Sequence, residues 1–364
     1  MNTRILCNTI VLLSLYTLPS YAQERVFLFS QDAKFIEIDP QTLTVTDVGN
    51  LWHLNVLTVD RIIENTNGND ILVVTKIWKL MGVQNPSKEL VEARGIAVLR
   101  RADKGGLLLR AVIQPPGEDY SLSTGETFKF GDSMLILTWA RDTNGSREFV
   151  VATYDAQYKE NQRYQGSFYL CDYSCMSVQA HIMYSPKQLD DILTLDLETG
   201  IESTVRFGTV GSPKYFSKTL VAAQACEALI VERDARDSKD SLFYLYNFVT
   251  KKIGGSFRNS ALGEFFVLSN RELILINEYQ LTMGAAGMEA HHAGRIHVIR
   301  FSGEEMGVVN VPKEGEIVHV ATGGTTAFYS APNSISIVNL ADLSARSLEI
   351  PFYQCKVAVW KPAR

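Results

Sequence analysis

The chain has 364 residues, of which 46% are hydrophobic and 21% are charged, and its formal net charge is −5. This composition is typical of a globular protein and excludes a disordered chain. Lys and Arg are scattered along the sequence and form no basic stripe, which argues against nucleic acid as a partner.

The N-terminal segment, residues 1–22, has the layout of a secretory signal peptide. Arg4 is followed by an apolar run, and Ser20-Tyr21-Ala22 supplies the small residues of a cleavage site. The run is too short to span a bilayer, and no later stretch of about 18 apolar residues exists. Cys7 lies at the wrong end of the run for a lipid anchor. We therefore expect a mature domain over residues 23–364 that is exported to the periplasm or extracellular space, with neither a membrane span nor a lipid anchor.

A short motif recurs seven times along the mature chain. In each copy a strand ends in a polar or charged residue, and a turn and a second strand follow. The copies are clearest in Phe35–Thr42 and Ile192–Thr199, where Asp and Thr occupy equivalent places. The residues that end the first strand of each copy are Asp39, Arg100, Asp155, Asp196, Asn247, Arg300 and Asn339. Their mean spacing of 50 residues suits a four-stranded propeller blade with loops of variable length.

This repeat resembles the broad superfamily of propellers that includes the WD-repeat and YVTN-type proteins, and the resemblance covers nearly all of the mature chain. The sequence has no Trp-Asp dipeptide, no Gly-His pair at the blade starts and no Tyr-Val-Thr-Asn string. The resemblance therefore implies an architecture, the β-propeller, and no particular activity.

The two ends of the mature chain are expected to share one blade. Residues 25–30, 34–39 and 44–48 predict three strands that lack an innermost partner, and residues 355–360 predict a strand that can supply it. Such pairing covers sheet edges that would otherwise invite aggregation. The predicted fold class is an all-β, seven-bladed propeller closed by N-terminal strands plus a C-terminal strand.

One face of the predicted propeller carries the long loops. In propellers, the connections between blades and those between second and third strands emerge on the same side and commonly bind ligands. The long loops that map there are residues 78–94, 114–126, 169–175 and 279–294. Trp78, Leu80 and Met81 are the predicted apolar anchor, because aromatic residues and Met are favoured in interface cores. Equally, these three side chains could cover the edge of their own blade.

Two groups of residues have the chemistry of metal ligands. Met283, Met288, His291 and His292 lie within one predicted loop, and thioether and imidazole groups suit copper, while imidazole also suits zinc. The alternative is a flexible Gly-rich loop with exposed histidines. His53, His181 and His319 fall in segments predicted as innermost strands, where they could form a cation site in the channel or fill its polar wall.

Cysteine usage fits an oxidising compartment. Loss of the N-terminal segment would leave Cys171, Cys175, Cys226 and Cys355, and the short spacing of the first two predicts a local disulfide. Cys226 and Cys355 are assigned to different blades and are expected to be unpaired. A pair of free thiols at Cys171 and Cys175 is the alternative.

Catalytic signatures are absent from the sequence. It contains no Gly-x-Ser-x-Gly elbow, no His-Glu-x-x-His and no phosphate-binding or dinucleotide-binding loop. These observations favour an exported, non-enzymatic propeller that binds a protein, peptide or glycan through its loop-rich face. Two alternatives stay open: a small-molecule hydrolase or lactonase with a carboxylate or metal site at the channel mouth, and a copper-linked redox role. The sequence indicates no catalytic residue and requires no cofactor, although copper or another metal is one option.

Overall fold

The computed structural model describes residues 24–63, 69–80, 90–126, 133–143, 146–169, 175–177, 182–188, 191–206, 214–216, 227–233, 241–247, 249–250, 252–260, 263–267, 273–284, 287–320 and 325–360. Within these ranges the chain forms 28 strands and a 3-10 helix at Trp52–Leu54. The strands form seven four-stranded antiparallel sheets. This all-β arrangement has the strand count of a seven-bladed β-propeller.

The sheets are numbered in chain order, with the strands given in spatial order. Sheet 1 consists of β28 (Lys356–Trp360), β1 (Arg25–Phe29), β2 (Lys34–Asp39) and β3 (Thr44–Asn50). Sheet 2 consists of β4 (Arg61–Ile63), β5 (Asp70–Leu80), β6 (Leu90–Arg101) and β7 (Leu107–Ile113). Sheet 3 consists of β8 (Ser121–Glu126), β9 (Ser133–Thr143), β10 (Ser146–Asp155) and β11 (Glu160–Gly166).

The remaining sheets repeat this order without exchange of strands. Sheet 4 consists of β12 (Cys175–Ser177), β13 (Ile182–Gln188), β14 (Asp191–Asp196) and β15 (Glu202–Arg206), and sheet 5 of β16 (Lys214–Phe216), β17 (Glu227–Arg233), β18 (Ser241–Asn247) and β19 (Lys252–Asn259). Sheet 6 consists of β20 (Gly263–Val267), β21 (Leu273–Gly284), β22 (Gly287–Arg300) and β23 (Glu305–Asn310), and sheet 7 of β24 (Glu316–Val320), β25 (Thr326–Ala331), β26 (Ser334–Asn339) and β27 (Ser344–Glu349).

The seven repeat positions all fall at the end of the third strand of a sheet. Asp39 is the last residue of β2, and its Oδ1 accepts hydrogen bonds from the backbone amides of Gln41 and Thr42 at 2.8 and 3.2 Å. Asp196 makes the equivalent pair of bonds at the end of β14. In the five copies with Asp or Asn at this place, the short polar side chain closes the turn to the fourth strand. The repeat is therefore the sequence signature of this turn.

The first and last segments of the described chain pair in sheet 1. β28 runs antiparallel to β1, with a register from Arg25↔Trp360 to Phe29↔Lys356. β28 also contacts β4 and β24, the first strands of sheets 2 and 7. The predicted pairing of the two chain ends is therefore confirmed.

Apolar side chains pack between neighbouring sheets. Described clusters join sheets 1 and 2, 2 and 3, 3 and 4, 5 and 6, 6 and 7, and also 7 and 1. In the last of these, Leu28 of β1 packs with Phe328 and Ile335 of sheet 7. Each such side chain stabilises the fold by about 1.5–3 kcal/mol when it is fully buried.

Buried carboxylates add polar links between sheets. Glu37 of β2 is 0% exposed and pairs with Arg25 of β1 and Arg101 of β6, at 3.3 and 3.0 Å. The carboxylate therefore holds a guanidinium group from its own sheet and one from sheet 2.

Asp70 at the start of β5 makes a similar link between sheets 2 and 3. It accepts hydrogen bonds from Nε of Arg100 at 2.7 Å, from Arg110 and from the Tyr158 hydroxyl of sheet 3 at 2.8 Å. The two arginines and the tyrosine offset the cost of burying the carboxylate, and their hydrogen bonds lower its pKa although burial raises it.

No helix in the described part of the chain has the length and apolar character needed to cross a membrane. Residues 1–23 lie outside the described ranges. The signal peptide and export therefore stay predictions.

Candidate functional site

Each sheet has one end at which connections to other sheets are made. In sheet 1, Phe29 at the end of β1 pairs with Lys356 at the start of β28, and Lys34 at the start of β2 pairs with Asn50 at the end of β3. The turn between second and third strands thus lies beside both connections to neighbouring sheets. Described connectors are residues 51–60, 114–120, 311–315 and 350–355. They bring the corresponding ends of sheets 6, 7, 1, 2 and 3 to one side, here called the connector face.

Two long β-ribbons rise from the connector face. In ribbon 2, β5 and β6 stay paired from Thr75↔Gly95 to Leu80↔Leu90, beyond the end of the four-stranded sheet. In ribbon 6, β21 and β22 stay paired from Tyr279↔His292 to Gly284↔Gly287. Six residue pairs at about 3.4 Å each give a length of roughly 20 Å.

A shorter ribbon extends sheet 3. β9 and β10 remain paired over Arg141–Thr143 and Ser146–Glu148, which is three residue pairs or roughly 10 Å. The expectation of loops at residues 78–94 and 279–294 is wrong where the structure describes them, because residues 78–80, 90–94, 279–284 and 287–294 extend their sheets as strands; residues 81–89 and 285–286 lie outside the described ranges. Their position on the connector face agrees with the prediction.

The predicted apolar anchor lies on ribbon 2. Trp78 and Leu80 are on strand β5, where they pair in register with Glu92 and Leu90. Met81 lies outside the described residues. The anchor role of these three residues stays a prediction.

The predicted Met and His ligands lie on ribbon 6. Met283 pairs in register with Met288, and Met283 is 81% exposed. His291 and His292 are neighbours on β22, so they face opposite sides of the ribbon and do not converge on one point. Among the described residues, no group of three or more His, Cys, Asp and Glu side chains is close enough to share a metal ion.

His292 takes part in a polar cluster at the base of ribbon 6. Its Nδ1 lies 2.9 Å from Nδ2 of Asn277, a buried residue, and its ring lies 4.8 Å from the ring of Tyr279. Burial lowers the pKa of His292, against a smaller opposing effect of Glu316. The lowered pKa favours the uncharged imidazole, whose Nδ1 can accept a hydrogen bond from the Asn277 amide. His291 on the other side lies 3.5 Å from the Glu289 carboxylate.

Of the three histidines predicted on innermost strands, only His319 is described there. It lies on β24, half-buried, with its ring 5.8 Å from that of Phe328. His53 is instead exposed on the 3-10 helix of connector 51–60, so its predicted position is wrong. The connector makes this extra turn, closed by Leu54 N donating to Leu51 O, before β4 begins. His181 is outside the described residues.

Cys355 is buried and carries a free thiol, as predicted. Its backbone amide donates to Ser330 Oγ at 3.2 Å, and its Sγ lies 3.4 Å from the same oxygen. Burial raises the pKa of the thiol to about 11. Cys171 and Cys226 fall outside the described residues and Cys175 lies on β12, so the local disulfide stays a prediction.

The raised pKa makes Cys355 resistant to alkylation in the folded protein. At about pH 8.5, iodoacetamide should modify Cys355 about 100-fold more slowly in the folded protein than in urea. The reactive species is the thiolate, and a pKa raised from 9.0 to about 11 lowers the thiolate population about 100-fold. The neutral thiol stabilises the fold below its ordinary pKa, and this stabilisation is lost as the pH rises through about 11. Mass spectrometry of the Cys355 peptide measures both rates. Equal rates in folded and unfolded protein would show that the thiol is not buried.

A pocket of about 660 Å³ opens where sheet 1 meets the connectors. Its apolar floor consists of the buried side chains of Phe29, Val59 and Phe352. Its other lining residues come from the β1–β2 turn and its flanks, connector 51–60, connector 350–355 and the start of β28, and they are Ser30, Gln31, Asp32, Lys34, Asp60, Pro351, Tyr353, Gln354 and Lys356. We call this the sheet 1 pocket.

The β1–β2 turn is held rigidly at the edge of the pocket. Asp32 accepts a hydrogen bond from Ser30 Oγ and pairs with Lys34 Nζ at 2.7 Å. The hydrogen bond with Lys34, followed by that with Ser30, lowers the pKa of Asp32. Ala33 completes the turn with a φ of 59° and is fully buried. The pocket therefore presents an exposed carboxylate and ammonium pair at its edge.

One exposed aromatic residue lines this pocket, and a second lies beside its β1–β2 turn. Tyr353 lines it and is 70% exposed. Trp52 is 54% exposed, and its Nε1 donates to the backbone oxygen of Asp32 at 3.1 Å. Sequence reasoning missed both residues. The usable signal was the predicted closing strand, because its pairing with β1 brings residues 351–356 beside the β1–β2 turn.

The fold defines the class as an all-β, propeller-like protein. No family model and no curated protein matches the chain. Among solved structures, apo AztD from Citrobacter koseri is similar with a TM-score of 0.51 and 10% identity, over 92% of this chain and 97% of that chain.

Two further solved structures are more distant. A protein of unknown function from Bacteroides caccae has a TM-score of 0.42 and 10% identity, over 79% of this chain and 94% of its own. Dihydro-heme d1 dehydrogenase NirN in complex with DHE has a TM-score of 0.46 and 13% identity, over 93% of this chain and 66% of its own. Of these similarities, the one to apo AztD supports the fold alone and carries no function.

Proposed function

We propose that this chain is an exported, closed seven-bladed propeller that binds a protein, peptide or glycan through its connector face and catalyses no reaction. Ring closure is supported by the pairing of β28 with β1 and by the apolar cluster between sheets 7 and 1. Export is supported by the layout of the first 22 residues in the sequence.

The observation that carries the binding proposal is the asymmetry between the two ends of the sheets. At the connector face, ribbons extend sheets 2, 3 and 6 by up to six residue pairs, and the sheet 1 pocket opens on the same side. At the opposite end, described turns such as that of Asp39 and Asp196 are short and closed by their own side chains. Extensions that run beyond the four-stranded sheets are expected to serve recognition.

Photo-cross-linking tests this proposal without knowledge of the partner. Benzoylphenylalanine replaces Met283 at the tip of ribbon 6 or Tyr353 at the pocket, and the protein is irradiated in the producing cell. Adducts of defined mass are expected from at least one of these positions, because both side chains are exposed on the connector face.

Matched controls lie at the opposite end of the sheets. Val45 is 47% exposed near the start of β3, and Ala341 is exposed in the turn between β26 and β27. These positions should give no adduct. The same adducts from all four positions, or adducts from the controls only, would contradict the proposal.

A further inference from the structure

The chemistry of the sheet 1 pocket narrows the kind of ligand that it can hold. Two carboxylates, Asp32 and Asp60, and two ammonium groups, Lys34 and Lys356, line it. Their formal charges cancel, so the pocket has no net attraction for a polyanion or a polycation. Electrostatic complementarity therefore favours an uncharged ligand that is rich in hydrogen-bonding groups.

Several backbone groups around the pocket already make hydrogen bonds within the fold. Ser30 N donates to Lys34 O at 2.9 Å, Val59 N donates to Gln31 O at 3.0 Å, and Phe352 O accepts from the amide of residue 333 at 3.0 Å. An extended peptide gains affinity mainly by main-chain pairing with a free strand edge. Most of the lining residues lie in turns and connectors, and these backbone hydrogen bonds already occupy part of their main chain, so recognition is expected to fall mainly to side chains.

The side chains offer the two features that a sugar ring requires. Carboxylate, ammonium and amide groups of Asp32, Lys34, Gln31 and Gln354 can exchange hydrogen bonds with hydroxyl groups. Flat aromatic rings can cover the C–H face of a pyranose. Tyr353 presents such a ring, since 70% of it is exposed beside the apolar floor.

Trp52 lies beside the pocket, and its side chain has no free hydrogen-bonding group for a ligand. Its only polar atom, Nε1, is bonded to the backbone oxygen of Asp32 at 3.1 Å. The bond fixes the indole beside the β1–β2 turn, while 54% of the residue stays exposed. What remains for a ligand is the ring face. An exposed ring face fixed beside the pocket can add apolar contact area for a ligand.

We propose that the sheet 1 pocket binds an uncharged oligosaccharide, with Tyr353 as the stacking platform, the neighbouring Trp52 ring as an extension of it, and the Asp32–Lys34 pair as the hydrogen-bonding group. This inference rests on the proposed function and specifies the ligand class for one part of the connector face. A volume of about 660 Å³ lies within the range of sites that take small ligands and accommodates a few sugar units.

Calorimetry with defined sugars tests the inference. The probes are cello-, malto-, xylo-, laminari-, manno- and chitohexaose, with hexagalacturonate as the charged counterpart and an unstructured hexapeptide library as the second class. At least one neutral hexasaccharide should bind the full mature chain at about 1 mM or below. Tyr353→Ala should weaken that binding about tenfold, whereas Tyr353→Phe, which keeps the ring face, should change it less than about twofold.

Ile201→Ala is the matched surface control, because Ile201 is 65% exposed in sheet 4 at the end away from the connector face. The Ile201→Ala variant should bind the neutral hexasaccharide as tightly as the unaltered protein does. The inference is overturned if no neutral hexasaccharide binds, if hexagalacturonate or peptides bind more tightly than every neutral sugar, or if Tyr353→Ala has no effect. None of these results would change the cross-linking expected at Met283. A failed sugar assignment can therefore be told apart from a failed proposal that the connector face binds a partner.

Discussion

Deletion of residues 355–364 should lower the free energy of unfolding by at least about 4 kcal/mol, or leave the mature chain unable to fold. β28 pairs with β1 over five residues and supplies side chains to two interfaces between sheets. Ala358 belongs to the apolar cluster with sheet 2, while Val357 and Cys355 belong to the cluster with sheet 7. Removing the strand therefore exposes the edge of β1 and opens both clusters.

Urea unfolding of purified mature protein measures this effect. Deletion of residues 361–364 alone is the control, because it leaves β28 intact, and it should change the unfolding free energy by less than about 0.5 kcal/mol. If the longer deletion unfolded at the same urea concentration as the control, β28 would be a dispensable tail and the seven-sheet ring would have to be abandoned.

Glu37→Gln should destabilise the protein by about 3 kcal/mol. Glu37 is 0% exposed, and its carboxylate holds the guanidinium groups of Arg25 and Arg101. A neutral amide leaves the mostly buried Arg101 of sheet 2 without its counter-charge, and it leaves Arg25 with Asp39 alone, at 2.8 Å. Arg101 also lies over the Trp360 ring at 5.5 Å, so the loss should extend to the closing strand.

Glu304→Gln is the matched control for that substitution. Glu304 pairs with Arg300 at 2.9 Å, but both side chains are more than half exposed. Solvent screens this pair, and the expected change is below about 0.5 kcal/mol. Chemical denaturation measures both variants. Equal effects of the two substitutions would show that the Glu37 cluster adds nothing beyond an ordinary surface ion pair.

The part of the fold that could be predicted depends on a short local motif that recurs in each sheet. Polar residues such as Asp39 and Asp196 end buried strands and close a tight turn, so they mark the same place in each sheet without reference to tertiary contacts. The closing strand was predictable for a related reason. The apolar run at residues 356–360 had no partner elsewhere, and counting strands assigned it to sheet 1, where it lies.

The ribbons were not predictable in the same way. A strand within a sheet shows alternating or continuous apolar residues because the sheet buries it. Ribbon 6 extends beyond its sheet, and residues such as Gln280, Thr282 and Met283 are exposed there. With little burial to impose a pattern, the segment resembles a loop in sequence, and its Gly residues reinforce that impression.

The pocket was missed because its residues are distant in sequence. Asp32, Asp60 and Tyr353 lie in three separate segments, and each segment looks like an ordinary polar turn or connector in the sequence. Only the end-to-end pairing of β1 with β28 brings them together. Composition and motifs in the sequence do not reveal a pocket that forms only where the β1–β2 turn meets connector 350–355.

The central claim is that the connector face, and not the opposite end of the sheets, is the binding surface. Comparison of photo-cross-linking from Met283 and Tyr353 with cross-linking from Val45 and Ala341 tests it most directly, because all four positions are exposed and differ in the end on which they lie. Adducts at the connector face that are absent from both controls are the predicted result. Adducts confined to Val45 and Ala341 would contradict the account.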